Sequence, residues 1–446
     1  MKPRQLVDRP TRWVRRWLTD ERLNSDRFTL GVWFASRVLV LLVWTFLAPN
    51  TQGDVYYYFD KLEAMGNVGP GFTLVEYPTP VIWLLSIPHL ISRSHPVIYV
   101  TAFALIMLAL DAGFSWSLWR HGGRLRGAAV IFWTFFLLVE GPTSYLRFDL
   151  IPAILGGWAL LNLLARRHTL AGALVGLGAA VKLWPALMWP ALLADRGRPR
   201  RLASLGFWVT GVALAAASLI WAGWTRLLSP LTWQSQRGLQ VESVWATPVM
   251  LARAVHRAPW IVEISDWQAF EIIGPGVSLM LLLSKLATAL GILAALAACA
   301  MWLRRGHGRP IEATALMLLV VAMMIVTNKT FSPQYIIWLG GPVAAGYAIV
   351  AQTPAGTPRA RRDEQRLFLV AKILLLVTAV TQLIYPIGYS PLVRPGVGIT
   401  RFEMVVVTGL LAVRNVGVCY LLWLVARWVW QFVRPGGDEL PDGERA

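Results

Sequence analysis

Twelve apolar runs organise this sequence, at about 29–48, 77–92, 97–119, 128–140, 147–164, 169–194, 202–222, 276–303, 311–328, 332–351, 367–386 and 403–430. Most approach the length that spans a bilayer as an α-helix, the fold that satisfies its own backbone hydrogen bonds in hydrocarbon. Composition points the same way: 15% of the 446 residues are charged and 56% hydrophobic, against about 25% charged in a soluble domain. The pattern predicts an all-α polytopic membrane protein of about 12 hydrophobic segments. A basic segment, 1–28, is expected to precede a multi-span domain, 29–430, and a short tail, 431–446, to follow it.

The formal net charge of +18 could suggest a nucleic-acid partner. In a membrane protein, Lys and Arg instead collect in cytoplasmic loops and face anionic lipid, so membrane lipids are the expected partners and no nucleic acid is. Cys299 and Cys419 have no CxxC pattern around them, which indicates neither a disulfide framework nor a zinc site. The first run has the length of a span, and Ala48-Pro49-Asn50 is a poor cleavage site. It reads as an uncleaved first span with its N-terminus inside, in a multi-pass protein of the plasma membrane.

Two connections are long, 49–76 and 223–275. Both carry aromatic, acidic and turn residues, the mark of folded material at a membrane surface. From 196 onward, simple alternation puts the arginine clusters inside and 223–275 outside, with both termini cytoplasmic. Strict alternation in the first half leaves Arg120, Arg124, Arg126, Arg166 and Arg167 outside. Reading 77–119 as one net crossing, and 169–194 as a hairpin broken near Lys182, brings them inside and leaves Arg147 and Asp149 outside.

The exceptions to apolarity are where chemistry can reside. Asp54 follows the first span in Gly53-Asp54-Val55-Tyr56-Tyr57-Tyr58, and Glu76 opens Glu76-Tyr77-Pro78-Thr79-Pro80. A surface carboxylate among aromatics can serve as general base on a sugar hydroxyl, and the faces of Tyr57 and Tyr58 suit sugar rings. The alternative is that Asp54 caps a short interfacial helix and the tyrosines belong to an aromatic belt. Arg147-Phe148-Asp149 opens another apolar helix. Arg147 offers a fork to a phosphate and Asp149 a contact to an acceptor, or the two form an interfacial ion pair.

Lys182 lies inside an apolar run, where a charge is costly, beside Pro185 and Pro190, which break a helix. It would suit a lipid phosphate or snorkel to the surface. In the second loop, Arg237 is a candidate for the leaving phosphate, with Gln236, Gln240 and Glu242 for sugar hydroxyls. Lys329 and Gln334, in Asn328-Lys329-Thr330-Phe331-Ser332-Pro333-Gln334-Tyr335, join the same face. There is no Walker loop, GxGxxG, HExxH or GxSxG. The outer elements also lack a DxD motif, so neither a metal nor a cofactor is expected.

The order of these elements resembles the GT-C superfamily of polyprenyl-phosphate-sugar-dependent glycosyltransferases over about residues 29–350. The ordered set is the Asp after the first span, Tyr-Pro-x-Pro, Arg-Phe-Asp, the Lys-x-x-Pro bend, Gln-Arg-Gly-Leu-Gln-x-Glu-Ser and Ser-Pro-Gln-Tyr. More narrowly it resembles glycosyltransferase family 87, which includes actinobacterial α-1,2-mannosyltransferases of phosphatidylinositol mannosides and lipomannan. The resemblance implies a catalytic role for Asp54 and an active site between the two outer loops. It also implies a mannosyl donor on polyprenyl phosphate, a lipid or glycan acceptor, inversion at the anomeric carbon and no required metal. Asn328-Lys329 and Ser332-Pro333-Gln334-Tyr335 stand where the phosphatidylinositol mannosyltransferases place histidine, which bears on the acceptor more than on the donor. A non-catalytic lipid-linked-sugar flippase and a scaffold subunit of envelope assembly are the competing readings. A flippase would need a polar path through the bilayer, whereas these ionisable residues gather at helix ends on one face.

Overall fold

A computed structural model describes residues 24–434 apart from 194, 257–258, 306–307, 355–356 and 395–397. Most of the basic segment 1–28 and of the tail 431–446 therefore lies outside the described residues. The regular structure of the described chain is helical apart from one two-stranded antiparallel hairpin. Among these residues, eight helices are long and apolar enough to cross a membrane. Thr79–Ser92, Leu150–Leu164 and His168–Val181 are apolar but shorter, and Ile337–Val350 is buried along its whole length. The chain is thus an all-α polytopic membrane protein.

The α-helices of nine residues or more are α1 (Asp26–Leu42), α2 (Gly53–Glu63), α3 (Thr79–Ser92), α4 (Pro96–His121), α5 (Arg126–Glu140), α6 (Leu150–Leu164) and α7 (His168–Val181). They continue as α8 (Arg198–Gln236), α9 (Thr247–Val255), α10 (Val277–Arg305), α11 (Pro310–Thr327), α12 (Ile337–Val350), α13 (Pro358–Gln382) and α14 (Arg401–Val433). The hairpin, β1 (Ile261–Ile264) and β2 (Phe270–Ile273), pairs Ile261 with Ile273. The second long connection starts later than the sequence pattern suggests. Gly223, at φ +79°, kinks α8, and the helix resumes to Gln236.

One end of the bundle is tied together by basic residues. Arg124 pairs with Glu364, and Arg309 with Glu312 at 2.8 Å and Asp363 at 3.5 Å. Arg126 donates to the Asn24 carbonyl, Arg196 to that of Arg304 and Gln352 to that of His121. The starts of α1, α5, α11 and α13 and the ends of α4 and α10 therefore meet there.

The start of α7 joins them. A Cβ on Gly172 would lie 1.9 Å from the Ala203 carbonyl oxygen, and one on Gly206 2.0 Å from that of Thr169. α7 and α8 thus begin side by side, in backbone contact that small residues alone allow. The segment between them must go in and come back, as the broken-hairpin reading expects. Its turn is at Lys182, whose extended backbone (φ −149°, ψ 125°) ends α7 before a 3₁₀ stretch, Trp184–Leu192. Tyr99 at the start of α4 packs on Phe59 and His89, so the junction of α3 and α4 lies beside α2.

Two charges are sunk in this apolar packing. Arg37 on α1 donates Nε and Nη2 to Asp111 on α4 at 2.8 and 2.9 Å. Trp133 Nε1 and the Tyr145 hydroxyl donate to the same carboxylate at 2.8 Å each. Both residues are almost fully buried, a state sustained by their pairing and by the further hydrogen bonds to the carboxylate.

Candidate active site

At the end opposite the basic one, a cavity of about 450 Å³ opens between the two long connections. Its first wall is α2. Val55, Tyr58, Phe59 and Leu62 are buried, a helical stripe that fixes α2 against the bundle and turns Asp54, in its first turn, toward the cavity. Asp54 keeps 44% of its side-chain exposure and stands 2.8 Å from Arg147 Nε. Arg147 is buried; it donates to the Thr51 and Leu146 carbonyls at 3.0 and 2.9 Å and to the Tyr385 hydroxyl at 3.2 Å. Its fork is therefore occupied in this state, and it acts as a clamp on Asp54.

The chain after α2 is held by α8. Buried Arg226 donates to the Tyr77 and Leu74 carbonyls, both at 2.9 Å, and Ser229 Oγ to that of Val75 at 2.7 Å. These bonds set Glu76 on the cavity wall, next to the Tyr57 hydroxyl, and burial raises its carboxyl above the usual range. Tyr58 is core rather than cavity wall: it packs on Tyr77, Phe103 and Phe148.

The floor is aromatic. Trp338 lies 4.7 Å from Trp184 and 4.1 Å from Tyr335, ring centroid to ring centroid, both stacked. Lys182 reaches the cavity but pairs with Asp149, which also accepts from Trp338 Nε1 at 2.6 Å. The Lys182 ammonium stands over Phe148, Tyr335 and Trp338 at 5.1–5.4 Å. A cation set among ring faces and neutralised by one carboxylate holds the rings in place; Asp149 itself lies behind the wall.

The roof is the second connection, laced to the 328–335 segment. Lys329 Nζ donates to the Ser235 carbonyl at 3.0 Å and to that of Arg237. Gln240 N–H donates to the Lys329 carbonyl at 3.2 Å, and Gln240 Oε1 accepts from Phe331 N–H. Lys329 thus shapes the roof rather than facing the cavity, and burial lowers its pKa. Gln236 is exposed at the end of α8, whereas Gln240 and Gln334 line the cavity.

Glu242 lines it too. It is buried, 3.3 Å from Arg414 on α14, with its carboxyl pushed up to about 7 because burial outweighs the neighbouring guanidinium. A small apolar cluster, with Leu239, Val241, Ile272, Ile384 and Leu411, seats this roof on α13 and α14.

Arg237 differs from the other cations. Its Nη2 donates to the Trp267 carbonyl in the hairpin turn at 3.2 Å, and its Nε has no partner. Among the described residues, it is the cavity-lining cation without a carboxylate in contact. Trp338, Tyr385, Arg226 and Arg414 were not singled out by the sequence pattern. Arg414 carried a signal, a charge inside an apolar run; Trp338 and Tyr385 carried none, since their roles follow from what folds beside them.

Among the described residues, no three His, Cys, Asp or Glu side chains gather as metal ligands do. No curated protein and no solved structure matches the chain. A family model, described as glycosyltransferase family 87, matches residues 74–333, more than half the chain and including both Glu76 and the 233–242 roof. With its apolar helices and its cavity at one end of the bundle, this chain belongs to glycosyltransferase family 87.

Proposed function

We propose that this membrane glycosyltransferase moves a sugar, mannose, from polyprenyl phosphate to a hydroxyl of a lipid or glycan acceptor, with inversion, at the outer face of the plasma membrane. The basic connections collect at the end away from the cavity, which supports a cytoplasmic basic end, cytoplasmic termini and an external cavity. The observation that carries the reading is that Asp54 and Arg237 line one cavity, the first a partly exposed carboxylate and the second a cation left without a counter-ion.

In this mechanism, Asp54 takes the proton of the acceptor hydroxyl as that oxygen attacks the anomeric carbon. The bond from that carbon to the phosphate oxygen breaks on the opposite side, and its electron pair leaves with the polyprenyl phosphate. Arg237 stabilises the charge that develops there. Arg147 holds Asp54 in place through their 2.8 Å contact, a role distinct from phosphate binding. The stacked Trp184, Trp338 and Tyr335 give a surface on which a sugar ring can lie, with Gln240, Gln334 and Glu76 for its hydroxyls.

The test is Asp54→Asn in membranes with intact expression, followed by donor-dependent release of polyprenyl phosphate. Release is expected to fall at least a hundredfold. Full activity of Asp54→Asn would remove the base assignment, and sugar movement with no release in the wild type would favour a flippase.

A further inference from the structure

A second cavity, of about 460 Å³, lies on the flank of the bundle between α5 and α13. Ala128, Phe132 and Phe135 of α5 form one wall, Leu376 of α13 the other, and buried Tyr347 of α12 the floor. Phe135 and Leu376 are 43% and 54% exposed, so the groove opens sideways, toward where lipid tails would lie. Among the described residues, one charged side chain lines it, that of Lys372. Lys372 is exposed, sits in the apolar part of α13, and makes no hydrogen bond or ion pair among the described residues.

An ionisable group within a membrane helix is costly without a partner, and its presence points to one. The described residues offer none here. The acids nearest in sequence, Asp363 and Glu364, are engaged by Arg309 and Arg124. An anion that the bilayer supplies fits this charge. Lys372 is six residues past Arg366, about 9 Å along the helix at 1.5 Å per residue. From there, a lysine stem can carry its ammonium back to the headgroup level at the basic end.

We propose that this groove binds one anionic glycerophospholipid of the leaflet opposite the catalytic cavity. An acyl chain lies in the groove against Phe132 and Phe135, and the headgroup phosphate meets Lys372. The site is separate from the donor and acceptor cavity, and its assignment does not depend on the reaction proposed above.

The test uses the full-length protein with phosphatidylglycerol and phosphatidylcholine in mixed micelles, with bound lipid counted by native mass spectrometry. Wild type is expected to retain one phosphatidylglycerol in preference to phosphatidylcholine. Lys372→Met is expected to lose about fivefold in that preference, in line with one basic side chain at a lipid surface, and Lys372→Arg to keep it. Ala371 also lines the groove, and Ala371→Phe, which narrows it and leaves the charge, is expected to lose the lipid. On the wild type alone, a photoactivatable phosphatidylglycerol should crosslink to α5 and α13, so the test stands even if a variant fails to fold. No preference in wild type, an unchanged preference in Lys372→Met, or crosslinks confined to other helices would overturn the proposal. Polyprenyl phosphate displacing phosphatidylglycerol from the groove would overturn the occupant assigned here.

Discussion

Arg237→Ala offers the sharpest perturbation of the proposed mechanism, because the charge it meets changes during the reaction. A sugar-phosphate diester carries one negative charge, and the departing polyprenyl phosphate gains about one more as the glycosidic bond breaks. A unit charge about 4 Å from a guanidinium is stabilised by about 4 kcal/mol at an effective dielectric of about 20, the value suited to a half-buried site. Transition-state stabilisation of that size corresponds to about a thousandfold in rate; incomplete bond breaking would bring it nearer a hundredfold. The loss should therefore appear in kcat more than in the KM for donor, since much of the interaction develops after binding. Arg237→Lys should recover part of the rate, as an ammonium supplies charge but not the fork. The assay is timed release of polyprenyl phosphate by purified protein in nanodiscs, with melting temperature as the control, because Arg237 also ties down the Trp267 carbonyl. A folded Arg237→Ala protein with kcat within fivefold of wild type would refute the phosphate assignment.

Three further outcomes follow from the packing. Glu242 holds its proton more tightly folded than unfolded, with a carboxyl raised from the usual range to about 7. The stability it adds is complete below the ordinary carboxylate range and lost as pH rises to about 7, on the order of 2–3 kcal/mol; melting curves at pH 5 and 8 should show that loss in wild type and not in Glu242→Gln. Asp111→Ala leaves Arg37, Trp133 and Tyr145 without their shared acceptor and should cost about 3–5 kcal/mol. Thermal unfolding in detergent would show it, with Arg37→Met/Asp111→Leu recovering much of the loss. Gly172→Ala must push against the Ala203 carbonyl oxygen, whereas a Cβ at Gly211 meets open space. The first should lower stability by about 1–3 kcal/mol and Gly211→Ala should leave it unchanged or slightly raised, measured side by side.

The fold was legible because hydrocarbon imposes one rule on every segment, and the apolar runs state it plainly. The break at Lys182 was legible for the same kind of reason: Pro185 and Pro190 prohibit a continuous helix whatever packs around them. The side chains that gather at the cavity were also readable, since polar residues at apolar helix ends have few places to go. Pairing was not. Nothing local in Arg147-Phe148-Asp149 says that Arg147 turns to Asp54 while Asp149, two residues on, turns to Lys182. Those choices are made by α2 and by the α7 break, elements about 90 and 30 residues away. Tyr385, which steadies Arg147, comes from farther still.

That pairing also says which parts of the chain the chemistry needs. The family match ends at residue 333 and begins at 74, yet Asp54 precedes it, and Trp338, Tyr385 and Arg414 follow it. Of the six charged side chains that line the cavity among the described residues, Asp54, Arg147, Lys182 and Glu242 are each in ion-pair contact, and two of those three pairs use a residue outside the matched region. If the outer elements were removed, Arg147 would lose Asp54 and Glu242 would lose Arg414. Arg147 would then compete with Arg237 for the donor phosphate, and the cavity would hold an uncompensated buried carboxylate. The contrast between paired charges and the single cation left over, on which the phosphate assignment rests, is therefore a property of the whole bundle and not of its matched core.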